Sequence, residues 1–154
     1  MTTETTTAPS FAAFNLPPAL NEALEYLKFT TPTPIQAEAI PHIMQGRDLL
    51  GSAQTGTGKT GAFGIPLIAK LLTSDKGRAL IMTPTRELAT QVIDQLDLLL
   101  GLDSGIKGAL LIGGESLGKQ FNQLRQNPRI VVGTPGRIND HLAKRTLKLD
   151  EVDY

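Results

Sequence analysis

Apolar residues recur at helical spacing in the first part of the chain. One such segment follows Pro17 and Pro18, and a second follows Pro34. Proline suits the first turn of a helix, because the amide hydrogen that it lacks would have no partner there. The pattern predicts two helices, whose apolar faces are formed by Leu16, Leu20, Ala23, Leu24 and Leu27 in the first and by Ile35, Ala39, Ile40 and Ile43 in the second.

Short apolar runs, separated by stretches of helix length, make up the remainder. A run that is apolar at successive positions predicts a strand buried on both faces. Four such strands are expected, at residues 48–53, 79–83, 109–112 and 130–132. Helices are expected at residues 59–72, 86–100 and 117–125, with another after Thr134. Because strands alternate with helices, this order favours an α/β fold with a parallel sheet and right-handed crossovers.

Composition limits the number of domains and the kinds of site. The chain has 154 residues, of which 40% are hydrophobic, so it has room for one domain with a core. Lys plus Arg and Asp plus Glu both number 15, so any nucleic-acid contact must come from locally placed groups. Cysteine is absent and His42 and His141 are isolated in sequence, so we do not expect a metal held by protein side chains alone.

The first ten residues differ in character from the rest. They are rich in threonine, and such a segment buries too little apolar surface to offset the entropy of ordering it, so residues 1–10 are predicted to be a disordered tail. The expected domain then spans residues 11–154. The tail lacks the basic and apolar regions of a signal peptide, and no apolar run is long enough to span a membrane. We therefore expect a cytoplasmic protein with no membrane attachment.

The strongest chemical signal lies between a predicted strand and a predicted helix. It is the segment Ala53-Gln54-Thr55-Gly56-Thr57-Gly58-Lys59-Thr60. Glycines let backbone amides face phosphate groups without a clash from Cβ, and the start of a helix adds positive potential. Lys59 supplies a cation and the Thr60 hydroxyl is a ligand for Mg²⁺. The alternative interpretation is a glycine-rich turn that only caps a helix.

In this form the segment resembles the phosphate loop of DEAD-box RNA helicases. The segment Phe29-Thr30-Thr31-Pro32-Thr33-Pro34-Ile35-Gln36 is similar to the Q motif of the same family, and Phe11 lies at the family's distance before Phe29. The resemblance implies that Gln36 recognises adenine and so selects ATP over GTP. An amide has both a donor and an acceptor for the adenine edge, and an aromatic ring such as Phe11 or Phe29 can stack on the base. Taken alone, the Thr-Pro-Thr-Pro sequence is a common turn and helix cap.

Three further segments match motifs of this family that face RNA. They are Pro84-Thr85-Arg86, Gly113-Gly114 and Thr134-Pro135-Gly136-Arg137. Hydroxyls, guanidinium groups and the amides at helix N-termini all bind phosphate oxygens, so the resemblance implies contacts with the RNA backbone and not with the bases. Each segment alone is also explained as a turn, with Thr134 capping a helix and Pro135 in its first position.

The last residues resemble the acidic box that gives the family its name. Asp150-Glu151-Val152-Asp153 differs from that box by one residue, but residues 145–149 before it alternate and carry charge. A strand buried on both faces does not have this pattern. We therefore interpret the segment as the linker into the acidic-box strand, with Asp150, Glu151 and Asp153 solvated and without a catalytic role; a degenerate box is the alternative.

The resemblance extends from Phe11 to Tyr154 and implies the N-terminal part of a first RecA-like domain, truncated before the acidic-box strand. It also implies ATP and Mg²⁺ as cofactors, RNA as partner, a missing second RecA-like domain, and ATP-dependent RNA unwinding or remodelling by the full-length protein. Ribonucleoprotein partners are not specified by the sequence. We expect the chain alone not to hydrolyse ATP, to be marginally stable, and to associate through unpaired strand edges. The alternatives are a stand-alone nucleotide- or RNA-binding module without turnover and an unrelated phosphate-loop protein.

Overall fold

Six α-helices and three β-strands form in a computed structural model that describes residues 10–54, 56 and 58–154. In chain order they are α1 Pro18–Tyr26, α2 Pro34–Met44, α3 Lys59–Thr73, β1 Ala79–Met82, α4 Arg86–Leu100, β2 Gly108–Leu111, α5 Leu117–Arg125, β3 Ile130–Gly133 and α6 Pro135–Ala143. Short 3₁₀ turns occupy Phe11–Phe14 and Leu149–Glu151. The predicted disordered tail lies outside the described residues except for Ser10, whose hydroxyl caps the first of these turns. All predicted helices are confirmed.

The three strands form one parallel sheet in the order β1-β3-β2. Ile130 at the start of β3 is aligned with Ala79 on one side and with Gly108 on the other. The strands therefore end together, and α4 and α6 begin just beyond the C-terminal ends of β1 and β3. Polar segments that follow these strands are thereby brought to one edge of the sheet.

The strand predicted at residues 48–53 is wrong. These residues have no regular secondary structure, and Leu50 is fully exposed, at 102% of its reference area. A strand forms only where a neighbour accepts and donates its backbone hydrogen bonds. No described strand lies beside this segment. Without a paired neighbour the apolar run stays irregular.

The sheet is covered on both faces. Ile130 and Val132 of β3 face the main core, together with buried residues of α1, α2, α3 and α4. Val131 faces the other side and packs with Ile138 of α6 and with Leu147. This alternation along β3 is the period of two expected for a strand between two layers. None of the described helices combines the length and apolar character needed to cross a membrane.

The C-terminal residues lie along the outer edge of β1. Tyr154 donates its backbone N–H to the Arg78 carbonyl at 3.2 Å and accepts from Leu80 N at 3.0 Å, which places it opposite Ala79 in a parallel pairing. Residues before Tyr154 therefore lie at the N-terminal end of the sheet. There Glu151 forms a 2.8 Å ion pair with Arg78.

Glu151 and Asp153 are exposed, which agrees with their predicted solvation, and both also contact Arg78. The Asp153 carboxylate accepts a hydrogen bond from Arg78 N at 3.3 Å, and Glu151 pairs with the guanidinium of the same residue. Asp150 is exposed, as expected. An acidic box would have to lie at the C-terminal ends of the strands, where nucleotides bind in open α/β sheets. Residues 150–153 lie instead at the N-terminal end of the sheet, which supports their interpretation as a linker.

Candidate functional site

The phosphate-loop candidate leads into α3 through a glycine. Gly58 precedes Lys59 with φ of 86°, in the left-handed region that favours glycine, and no side chain caps the helix. The Gly58 carbonyl accepts the first helical hydrogen bond, from Ala62 N at 3.1 Å. The amides of residues 59–61 therefore precede the helical ladder and point out of its N-terminus. This arrangement suits an anion. Thr55 and Thr57 of the candidate loop lie outside the described residues.

Two side chains at this helix start remain available for a ligand. Lys59 is exposed and Thr60 is half-buried, and neither side chain has a hydrogen bond or ion pair with any described residue. Gln54 and Gly56 are also exposed, and Ala53 is half-buried. A free ammonium, a free hydroxyl and unpaired helix amides are the groups that a polyphosphate and its Mg²⁺ require.

Gln36 lies directly beneath the phosphate-loop candidate. Its side-chain oxygen accepts from Thr33 N at 3.0 Å, and the Thr33 hydroxyl accepts from Gln36 N at 3.4 Å, which completes a capping box at the start of α2. Its Nε2 donates to the Gly58 carbonyl at 3.2 Å. A Cβ on Gly58 or on Gly61 would lie 2.6 Å from this Nε2, so a side chain at either position would displace the Gln36 amide. The interpretation of Thr-Pro-Thr-Pro as a helix cap is thus confirmed. The side-chain amide of Gln36 also contacts the phosphate-loop candidate at Gly58.

The two aromatic candidates lie side by side in the protein. Phe11 is buried, and its ring centroid is 6.4 Å from that of Phe29 and 6.0 Å from that of Phe14. Phe29 is half-buried and packs against the main core. Stacking of either ring on a base stays a prediction.

The three RNA-type segments meet in one open pocket of about 510 Å³ at the C-terminal ends of the strands. Its lining combines the segments after β1, β2 and β3 and comprises Pro84, Thr85, Arg86, Glu87, Gly113, Gly114, Thr134, Gly136, Arg137 and Asp140. Arg86 and Gly113 are 27 positions apart in the sequence, and Gly114 and Thr134 are 20 apart, so it is the parallel sheet that brings the motifs together.

The threonines that begin α4 and α6 behave differently. Thr85 caps α4, because its hydroxyl accepts from Leu88 N at 3.2 Å. Thr134 occupies the cap position of α6 but makes no side-chain cap hydrogen bond. The N-cap position of Thr134 agrees with the turn interpretation, but its hydroxyl is not used for capping. Its hydroxyl lies beside the pocket with the first amides of α6, and both are available to a phosphate.

Arg86 and the glycine pair form one wall of the pocket. The Arg86 guanidinium donates to the Gly113 carbonyl at 3.2 Å and lies over Gly114, where a Cβ would approach Nη1 to 2.6 Å. Gly114 also has φ of 84°. A Cβ on Gly113 would meet nothing within 4 Å. The space left by Gly114 is therefore filled by Arg86, whereas Gly113 keeps an open surface.

Arg137 also lines the pocket and is held by residues that the sequence analysis missed. Its Nη1 donates to the Glu115 carbonyl at 3.2 Å and to Oε1 of Gln120 at 3.4 Å. Gln120 and His141 are both fully buried and joined by a 2.7 Å hydrogen bond. A signal was present, since Gln120 lies at helical spacing from Leu117 and Leu124 and so occupies a buried position of α5.

Comparison with known proteins identifies the family. A sequence profile described as DEAD/DEAH box helicase matches residues 33–154. The chain belongs to this family. Among curated members of the DEAD/DEAH box helicase family, it is 44% identical over 154 residues to the ATP-dependent rRNA helicase RRP3 of Lodderomyces elongisporus and 46% identical over 144 residues to the ATP-dependent RNA helicase CshA of Listeria monocytogenes.

A solved structure supports the same assignment of the fold. The DEAD box protein of the hyperthermophile Methanococcus jannaschii superimposes with a TM-score of 0.88 at 40% identity, over 94% of this chain and 40% of that one. The RecA-like fold predicted for this DEAD/DEAH box helicase chain is therefore confirmed. Its three-stranded sheet is not closed. The alignments cover 94% and 93% of the chain but only 30% and 28% of the two curated relatives. The chain thus spans less than a third of their length.

Proposed function

We propose that this chain is the ATP- and RNA-binding part of the first RecA-like domain of an ATP-dependent RNA helicase. Family membership supports ATP with Mg²⁺ as cofactor and RNA as partner. The observation that supports RNA binding is the pocket lined by the segments after β1, β2 and β3. The observation that supports ATP binding is the N-terminus of α3, which no side chain caps.

The nucleotide would be bound where Gln36 and α3 meet. The segment Ala53-Gln54-Thr55-Gly56-Thr57-Gly58-Lys59-Thr60 would surround the phosphates, with Lys59 as cation and Thr60 as the protein ligand of Mg²⁺. Bound Mg²⁺ would neutralise charge on the phosphate oxygens. Gln36 would recognise adenine, because each atom of its amide uses only part of its hydrogen-bonding capacity in the fold. We assign Phe11 and Phe29 to the wall behind the base.

RNA would bind across the pocket through its phosphates. Arg86, Thr134 and Arg137 all line this pocket. The amides that begin α6 follow Thr134, and Gly113 leaves room for a sugar or phosphate. Groups of these kinds would bind the oxygens of the RNA backbone and would not distinguish base edges. The proposed binding is therefore independent of RNA sequence.

Turnover would belong to the full-length protein. Phosphoryl transfer needs carboxylates that hold Mg²⁺ and orient water, and cations that stabilise charge on the γ-phosphate. The last acidic residues of the chain lie at the N-terminal end of the sheet, next to Arg78. We therefore assign them no part in hydrolysis. The second RecA-like domain would supply the remaining cations.

The test is to compare binding with hydrolysis in this chain. We expect a fluorescent ATP analogue to bind with Mg²⁺ in preference to the matching GTP analogue, and a short labelled oligouridylate to bind with strong salt dependence. Phosphate release should stay at the level of a blank without protein. Binding without release in the full-length protein would instead favour the stand-alone module. Equal binding of the two nucleotides would contradict the adenine recognition proposed for Gln36.

A further inference from the structure

A buried polar pair connects Arg137 with the interior between α5 and α6. Gln120 and His141 have no exposed surface, yet both side chains have hydrogen-bond partners. Burying an amide and an imidazole costs free energy unless every polar atom is paired, and apolar residues could fill the same space without that requirement. The pair therefore calls for an explanation beyond packing.

The direction of each hydrogen bond follows from the surroundings of Gln120. Its Nε2 donates to the Ile112 carbonyl at 2.8 Å, which leaves Oε1 as the atom that faces both His141 and Arg137. An amide oxygen only accepts, so Nε2 of His141 must carry a proton. Burial lowers the pKa of His141, and the Arg137 cation acts in the same direction. The ring is therefore neutral near pH 7, with Nδ1 accepting from the Thr146 hydroxyl at 2.8 Å.

The same oxygen fixes one side of the Arg137 guanidinium. Nη1 of Arg137 is held by Gln120 Oε1 and by the Glu115 carbonyl, and Nε lies 3.6 Å from Asp140 Oδ2. Nη2 has no hydrogen-bond partner in the part of the chain that the structure describes. Because the guanidinium is planar and its Nη1 and Nε are held, the direction of Nη2 beside the pocket is fixed as well.

We propose that Gln120 and His141 are positioning residues that orient Arg137 toward an RNA phosphate. This inference rests on the proposed RNA contact of Arg137. His141 orients the Gln120 oxygen, Gln120 orients Nη1, and Arg137 alone touches the ligand. The ordering cost of a flexible arginine is then met during folding and not on binding.

The test is a double-mutant cycle on binding of the labelled oligouridylate. We expect Gln120→Met to weaken binding about tenfold, the effect of losing one charge-assisted hydrogen bond, and to reduce the salt dependence by about one phosphate contact. In an Arg137→Ala background the same substitution should have no further effect. His141→Phe should give a smaller loss, also absent in that background, because the Thr146 hydroxyl, no longer donating to a ring nitrogen, can donate to the residue 141 carbonyl at 3.1 Å.

Gln123→Met is the matched control. Gln123 also lies on α5 and its Oε1 accepts from a strand amide, that of Leu110, at 3.1 Å, but it does not touch Arg137. It should lower stability to a similar extent and leave RNA affinity unchanged. Nitrogen-15 spectra of the Arg137 guanidinium give a readout without RNA: slow rotation in the parent chain and fast rotation in Gln120→Met.

The outcomes separate this inference from the proposed function. If Arg137→Ala leaves RNA affinity unchanged, the RNA role of Arg137 and the inference both fail. If Arg137→Ala weakens binding but Gln120→Met does not, or weakens it equally in both backgrounds, only the positioning role is overturned. Equal losses for Gln120→Met and Gln123→Met would likewise show a general effect of stability.

Discussion

The side-chain nitrogen of Gln36 donates a hydrogen bond to the carbonyl of Gly58 at 3.2 Å, across 22 positions of the chain. The same amide caps α2 through Thr33. A single side chain therefore couples the start of α2 with the residue that begins α3. Any ligand that moves the Gly58 backbone must therefore also change the surroundings of Gln36.

We expect Gln36→Ala to have two separable effects. Loss of the capping box should lower the free energy of unfolding by about 1 kcal/mol. Loss of the amide should remove the preference for ATP over GTP. Thermal melts and competition between the two fluorescent nucleotides measure these effects. Gln45→Ala, at the exposed C-terminal end of the same helix, is the control and should change neither. An unchanged preference for ATP would contradict the assigned role of Gln36.

Lys59→Ala is predicted to remove measurable nucleotide binding without harming the fold. Lys59 is exposed and has no partner among the described residues, so stability should change by less than about 0.5 kcal/mol. The lost affinity reflects the missing cation at the phosphates. Lys107→Ala removes an exposed lysine just before β2, at the other end of the strands, and should bind nucleotide normally. Full affinity of Lys59→Ala in equilibrium titrations would refute the phosphate role.

Local patterns predicted most of the fold, and non-local contacts explain what they missed. The helices have periodic apolar positions and the three paired strands are continuous apolar runs, and each pattern carries its own signal. The apolar run at 48–53 carries the same signal, but a strand also needs a neighbour, and that requirement is invisible in the run itself. The contact between Gln36 and Gly58 and the role of Gln120 beneath Arg137 depend on how helices pack. Spacing along the chain does not encode such contacts.

Arg86→Ala should weaken RNA binding to a similar degree for all sequences. Its guanidinium lines the pocket and contacts the Gly113 carbonyl, so its loss removes one phosphate contact and reduces the slope of log affinity against log salt by about one. Anisotropy titrations with oligouridylate and oligoadenylate at several salt concentrations measure both quantities. Arg125→Ala, at the exposed end of α5, is the matched control for net charge. A change in base preference would show that the contact was misassigned.

The glycine pair allows a comparison between adjacent positions. Gly114→Ala should lower the free energy of unfolding by about 1–2 kcal/mol, since φ is 84° and the new methyl group would collide with the Arg86 guanidinium. Gly113→Ala places its methyl group in open space and should leave stability unchanged. It should nevertheless weaken RNA binding, because the methyl group lies on the pocket surface. Urea denaturation and anisotropy separate the two effects, and normal RNA affinity of Gly113→Ala would exclude close approach of RNA there.

The two outer edges of the sheet differ, and this difference predicts how the chain associates. On β2, the outward Leu110 N–H donates to the Gln123 side chain and the Ile112 carbonyl accepts from Gln120, so amides of α5 occupy that edge. On β1, Leu80 N pairs with Tyr154, but the next outward amide, that of Met82, has no partner in the described part of the chain. An open strand edge is a template for another chain.

We therefore expect the chain to associate through β1 with increasing concentration. Met82→Pro should suppress this association, because proline is tolerated where an edge amide faces solvent and blocks an incoming strand. Met82→Leu keeps the amide and should associate like the parent chain. Sedimentation velocity over a concentration series compares the three proteins. A parent chain that stays monomeric, with a cooperative melt independent of concentration, would show that the β1 edge is already adequately protected.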